Sequence, residues 1–291
     1  MVKARHSRVQ KSWMTRWSWM FLLSVLTMFM FLLILLLLAL HLRMPNTNTS
    51  FAPFEHNHLN SIARNASYIS EGEDEQGEQW VEILSWEPRA FLYHNFLTKE
   101  ECEYLINIAK PNMQKSSVLK SGKPTISSAR TSFGTFLDRG LDKTVRNIEK
   151  RIADFTHIPV ENGEGLQILH YEVGQEYVAH PDFFGDELYT ANGGNRIATM
   201  LMYLSDVEEG GETVFPDAKG NSRSVPWWNI NKLSYCAKKG LSIKPKMGNA
   251  LLFWNMRPDA TYDPSSVHGS CPVIKGNKWS CTKWMRINEF H

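Results

Sequence analysis

An excess of one charge sign is missing from this chain. Its 32 Lys and Arg stand against 30 Asp and Glu for a formal net charge of +2, which excludes the basic footprint a nucleic-acid partner needs. Cysteine is scarce, with 4 in 291 residues. The one grouping that invites a zinc ion, His268 with Cys271 and Cys281, lacks familiar zinc-site spacing. The most consequential absence is local: residues 17–42 contain no Lys, Arg, Asp or Glu. At ~1.5 Å per helical residue, that run crosses a hydrocarbon core of ~30 Å with some tilt. It exceeds the ~7–15 apolar residues of a cleavable signal, and no small-residue cleavage site follows. The run therefore predicts a transmembrane signal anchor rather than a cleaved leader.

The flanking charges orient that anchor. Lys3, Arg5, Arg8, Lys11 and Arg16 precede it, whereas the nearest basic residues behind it are Arg43 and Arg64. The positive-inside tendency assigns residues 1–16 to the cytosol and the rest to a lumen, giving a single-pass type II protein of the endoplasmic reticulum or Golgi membrane. Trp17 and Trp19 suit an interfacial belt. The sequons at Asn48 and Asn65 fall on the luminal side as glycosylation candidates. All four cysteines, Cys102, Cys236, Cys271 and Cys281, lie there too, where disulfides form; three pairings stay open.

Residues 43–79 read as a polar stem with little to bury. The folded unit, residues 80–291, starts with strand-like runs at 81–86 and 89–96. Thr98-Lys99-Glu100-Glu101 is a capping box for a helix reaching about Ala109. A second helix is predicted over 141–156, with Leu141, Val145, Ile148, Ile152 and Phe155 as its apolar face. From Gly165 short runs with turn signals take over: 166–173, 176–181, 196–204, 212–215, 241–245, 249–254, 266–268 and 279–290. That pattern predicts an antiparallel sandwich or barrel. The polar stretch 217–240 reads as a long loop with a role.

His180-Pro181-Asp182 carries the chemistry. Side chains at i and i+2 of a strand point the same way, so His180 and Asp182 can share a metal, with a second imidazole arriving from a distant strand. Two imidazoles and one carboxylate on one face suit a catalytic Fe(II), with positions left for oxygen and a chelating substrate. Alone the motif is weak: with 10 His and Asp at about one residue in twenty, roughly half a match arises by chance. His170-Tyr171-Glu172 matches equally, and His56-Asn57-His58 is a further metal-like pair. Only His180 and Asp182 are followed by a complete set, His268 and then Lys278 ten residues on.

The runs 167–171, 180–182, 195–204, 210–216, 266–273 and 275–284 resemble, in order, the 2-oxoglutarate-dependent prolyl 4-hydroxylases, above all the membrane-anchored plant type. The resemblance spans most of residues 81–291. It implies a double-stranded β-helix (jelly roll) with flanking helices, mainly β in class. It implies Fe(II) on His180, Asp182 and His268, with 2-oxoglutarate as co-substrate, O2, and L-ascorbate. Lys278, a compact cation on a flexible stem, would neutralise the distal carboxylate of the co-substrate. Tyr171 and Thr213 would line the co-substrate pocket; Tyr177, Arg196 and Trp284 would lie near substrate or iron. The implied reaction is peptidyl-proline 4-hydroxylation coupled to conversion of 2-oxoglutarate to succinate and CO2. The expected substrates are proline-rich secreted or cell-wall proteins, presented as preformed polyproline II helices. Trp227 and Trp228 are candidate walls. Self-association, or association with related hydroxylases, is a further partner expectation. The competing readings are a hydroxylase of the same chemistry acting on another residue, such as lysine, and an inactive membrane-tethered peptide-binding module. The presence of all three ligands speaks against the second.

Overall fold

Thr98 and Glu101 cap each other: Glu101 N–H donates to Thr98 Oγ1 at 3.1 Å, and Thr98 N–H donates to Glu101 Oε2 at 3.0 Å. This reciprocal pair satisfies two donors that a helix start strands, and it opens α1, Lys99–Ala109. Cys102, Leu105 and Ala109 bury along one stripe. Helix α2, Lys143–Thr156, starts from Asp142, whose carboxylate accepts from Val145 N–H at 2.9 Å. The predicted start at Leu141 is thus corrected by two residues. Leu141 precedes the cap and stays half exposed, while Val145, Ile148 and Ile152 form the buried face.

The computed structural model describes residues 25–34, 78–120, 123–219 and 233–291. Residues 25–34 are helical, and among the described residues no helix is long and apolar enough to cross a membrane. The cytosolic tail, most of the anchor, nearly all of the stem, Asn48, Asn65, His56, His58, Trp227 and Trp228 lie outside the described residues.

The strands that build the folded unit are β1 (Trp80–Trp86), β2 (Arg89–His94), β3 (Gln114–Lys115), β4 (Phe133–Leu137), β5 (Leu166–Tyr171) and β6 (Tyr177–His180). They continue with β7 (Arg196–Tyr203), β8 (Thr213–Phe215), β9 (Leu241–Ile243), β10 (Ala250–Trp254), β11 (His268–Ser270) and β12 (Lys278–Arg286). An eight-stranded sheet runs β1-β2-β10-β7-β12-β5-β4-β3, and a four-stranded sheet runs β9-β8-β11-β6. The chain crosses repeatedly between the two sheets from β5 to β12. That alternation is the jelly-roll topology.

The period of two decides which side chains meet. On β7, Ala198, Met200 and Met202 join α1 and α2 in the larger core, whereas Thr199 and Leu201 line the cavity between the sheets. On β12, Cys281 and Met285 take the helix side while Lys278, Ser280, Thr282 and Trp284 take the cavity side. Lys283 also faces the helices and pairs with Glu149 of α2 at 2.6 Å, both groups buried. A second core of Tyr203, Phe215, Leu241, Ile243, Leu251 and Phe253 packs against the cavity, with Phe253 4.5 Å from the His268 ring.

Two local expectations are corrected. The strand predicted at 266–268 begins at His268, because Pro264–Ser266 forms a 3-10 turn whose preceding Asp263 accepts from Ser265 N–H. The pairing of β3 with β4, and of β4 with β5, adds an edge to the large sheet that no periodicity announced. Of the long loop, residues 217–219 and 233–240 are described, with a 3-10 turn at Ala237–Lys239.

Candidate active site

His180 closes β6 and pairs in register with His268 at the start of β11, so strand pairing alone brings the two imidazoles side by side. Asp182 follows two residues later, past the strand end in a bend. The same-face argument of an ideal strand is therefore replaced by a turn that brings the carboxylate back. His180 Nε2 lies 3.8 Å from Asp182 Oδ1 and His268 Nε2 lies 3.7 Å from Asp182 Oδ2. Ligand atoms of all three lie within 4.8 Å of one another.

The tautomers suit a cation. His180 Nδ1 donates to Val178 O at 2.8 Å, and His268 Nδ1 donates to Ser266 O at 3.0 Å. In each ring Nε2 is thereby the nitrogen left to face a cation. Burial, then the neighbouring His268, pushes His180 down to about 3, so the imidazole is neutral. Burial pushes the Asp182 carboxyl up, but His268, Arg196, His180 and the Thr199 hydroxyl outweigh it and hold it at about 2. Two imidazoles whose Nδ1 atoms are already engaged and one carboxylate, gathered within 4.8 Å, fit a ferrous ion.

Lys278 ends the same cavity. It is 1% exposed, and its Nζ donates to Gly211 O and Ser270 Oγ, both at 2.8 Å. The rings of Tyr171 and Tyr203 lie 5.3 and 5.8 Å from that nitrogen. Burial pulls the ammonium down to about 7 against the opposing pull of the Glu212 carboxylate. Tyr203 O–H donates to Thr213 Oγ1 at 2.9 Å. The cavity has an acidic-ligand end at Lys278 and a metal-ligand end at the triad.

Outside this cavity opens a cleft of about 710 Å³. Arg196 is locked at its floor: Nε and Nη2 donate to the two oxygens of Glu164 at 2.7 and 2.8 Å, and its guanidinium lies 3.6 Å from the Trp284 ring centre. Arg286 Nε donates to the same Glu164 at 2.6 Å. Tyr177 stacks on His180 at 3.6 Å and carries Arg130 on its other side at 4.6 Å.

Every predicted site residue within the described range reaches this region. His180, Asp182, His268, Lys278, Tyr171, Thr213, Tyr177 and Trp284 line the inner cavity, and Arg196 lines the cleft. Sequence reasoning missed Arg130, Gln167, Thr199 and Ser270, which also line the cavity; Gln167 and Thr199, polar residues within apolar strands, carried a signal, whereas Arg130 and Ser270 stand in polar runs and carried none. His170 turns outward and stacks on Trp279 at 4.1 Å. Cys236 and Cys271 form a disulfide, while Cys102 and Cys281 remain buried thiols. A zinc site on His268, Cys271 and Cys281 is ruled out, because one cysteine is bonded and the other packs among the helices.

The class this geometry defines is a mononuclear ferrous oxygenase that takes a dicarboxylic co-substrate. Residues 166–286 match the family model described as 2OG-Fe(II) oxygenase superfamily. The chain is 68% identical over 236 residues to probable prolyl 4-hydroxylase 10 of Arabidopsis thaliana, covering 80% of this chain and 81% of that one. It is 59% identical over 293 residues to probable prolyl 4-hydroxylase 3 of the same plant, across 100% of this chain and 99% of that one. Among solved structures, the viral collagen prolyl hydroxylase of Paramecium Bursaria Chlorella virus-1, in its 2OG complex, matches with a TM-score of 0.50 and 28% identity. That match covers 68% of this chain and 95% of the viral one. The chain belongs to the prolyl 4-hydroxylases.

Proposed function

We propose that this chain hydroxylates C4 of peptidyl proline in proline-rich secreted or cell-wall proteins, consuming O2 and 2-oxoglutarate and releasing succinate and CO2. One observation carries the reading: a buried ammonium, Lys278, ends the cavity that His180, Asp182 and His268 open. His180 and His268 would hold Fe(II) through Nε2 and Asp182 through a carboxylate oxygen. When bound, the iron supplies oxygen activation and oxidation of the substrate C–H bond. Lys278 holds the distal carboxylate of the co-substrate, with Tyr171 and Thr213 as neighbouring walls. Tyr177, fixed between Arg130 and His180, and Trp284, fixed by Arg196, close the mouth and exclude water.

The outer cleft suits a preformed polyproline II segment, since Phe136, Tyr177, Phe183, Phe184 and Trp284 line it and such a helix docks on aromatic walls. The purified full chain with Fe(II), L-ascorbate and 2-oxoglutarate should add one oxygen per modified proline to a poly-proline peptide, read by mass spectrometry. Succinate release with a lysine-containing peptide but not with the proline peptide would favour the alternative substrate and overturn this one.

The charge-free run 17–42, its basic N-terminal flank and the sequons support a luminal catalytic unit on an endoplasmic reticulum or Golgi anchor. Endoglycosidase treatment should shift the cell-expressed protein, and Asn48→Gln with Asn65→Gln should abolish the shift. An unglycosylated parent would contradict the luminal placement.

A further inference from the structure

Asp182 is served from behind by two groups whose directions are forced. An ionised carboxylate only accepts, so the Thr199 hydroxyl gives its single hydrogen to Asp182 Oδ2 at 2.7 Å. Thr199 Oγ1 must then accept from its other neighbour, and Asn255 Nδ2 lies 2.9 Å away. This fixes the amide. The Asn255 nitrogen faces Thr199, and its Oδ1 is buried without a hydrogen-bond partner.

Asn255 is 0% exposed and Thr199 1%. A stranded buried acceptor lowers stability, since it gives up its water partners and gains none. The reversed amide would not help, because Oδ1 would then claim the hydrogen that Asp182 receives. The backbone of Asn255 also ties both halves of the site: its N–H donates to Ile197 O on β7 at 2.9 Å, and its carbonyl accepts from Asp263 N–H at 3.0 Å. Asp263 caps the turn whose Ser266 carbonyl orients His268.

We propose that Asn255 is a positioning residue for the metal centre, acting through the Thr199 hydroxyl to keep Asp182 Oδ2 engaged, so that Oδ1, which meets only the Arg196 guanidinium at 3.9 Å and His180 at 3.8 Å, is the oxygen turned to the cation. The inference rests on reading His180, Asp182 and His268 as a metal site. A carboxylate offered through one oxygen keeps the open positions that a chelating co-substrate and oxygen both require. The stranded carbonyl is the stability forgone for that arrangement.

Asn255→Leu tests it, because leucine keeps the branched shape and removes both the donor and the stranded oxygen. In the full chain, Co(II) affinity measured by titration should fall about fivefold, while the metal-free protein melts at or above the parent. Thr199→Val should lower the affinity about tenfold, the smaller end of the effect of outer partners on metal binding. In the Thr199→Val background, Asn255→Leu should change nothing further, since its route to Asp182 is cut. Asn255→Ala carries the same expected loss if leucine does not fold. Affinity within about twofold of the parent, or an equal loss in both backgrounds, overturns the proposal. His180→Ala measured alongside separates the two readings: unchanged Co(II) affinity there overturns the metal site itself, and this inference with it.

Discussion

Replacing Lys278 by methionine removes one charge from the closed end of the cavity with little change in length. The ammonium has three N–H donors, and two are taken by Gly211 O and Ser270 Oγ, so one remains for a ligand carboxylate. A hydrogen bond to a charged partner contributes about 1.5–3 kcal/mol. At 1.36 kcal/mol per tenfold, a loss of about 1.5–3 kcal/mol raises the 2-oxoglutarate needed for half-maximal turnover roughly 13- to 160-fold. The peptide requirement should stay unchanged. Stability should move the other way. Burial holds the ammonium at about 7 against an ordinary 10.5, so between those values the unfolded chain binds this proton more tightly than the folded one. The group's contribution to stability therefore rises with pH across that window, and below it the empty site carries the full burden of a buried charge. Methionine lifts that burden. The Gly211 carbonyl loses a partner, at about 1–3 kcal/mol, less than the several kcal/mol that a fall from 10.5 to about 7 represents. The variant without co-substrate should melt above the parent near pH 6, the gap narrowing toward about pH 10. Succinate release against 2-oxoglutarate and thermal unfolding across pH check both limbs. An unchanged co-substrate requirement, or a variant that melts lower throughout, would refute the reasoning.

His180→Ala and Asp182→Ala should each abolish turnover and metal binding while circular dichroism stays near the parent, because both side chains face the cavity; retained activity in either would remove the residue from the site. Glu149→Ala should destabilise the fold by about 3–5 kcal/mol in urea titration, since it strands the buried Lys283 charge. A loss below about 1 kcal/mol would mean the pair is solvated. Joint replacement of Cys236 and Cys271 by serine reopens a 35-residue separation, which the chain-entropy account values at about 4 kcal/mol; an unchanged melting temperature would count against a formed disulfide.

Local signals that act within a few residues were legible in the chain. The Thr98 capping box, the buried Val145, Ile148 and Ile152 of α2 and most of the short strands from 166 onward lie close to where their patterns placed them, because caps and periodicities depend on near neighbours. The edge formed by β3 and β4 was not legible: a two-residue strand pairs only because the sheet beside it already exists. The turn at Pro264–Ser266 was missed for a related reason, since the Asp263 cap uses a side chain that reads equally well as a ligand or a surface charge.

At the site the division is sharper. Sequence by itself determined which groups could hold a ferrous ion and a dicarboxylate, because His180, Asp182, His268 and Lys278 stand in an order and spacing that few chains share. It also separated them from His170, which lacks a downstream set. Tertiary structure alone decided that β6 and β11 pair in register to set the imidazoles together, that a bend carries Asp182 back to them, and that Cys236 chose Cys271. It alone placed Thr199 and Asn255 behind the carboxylate. Those outcomes depend on which strands become neighbours across the sandwich, and that information is spread over the packing of the whole sheet rather than written at any one position.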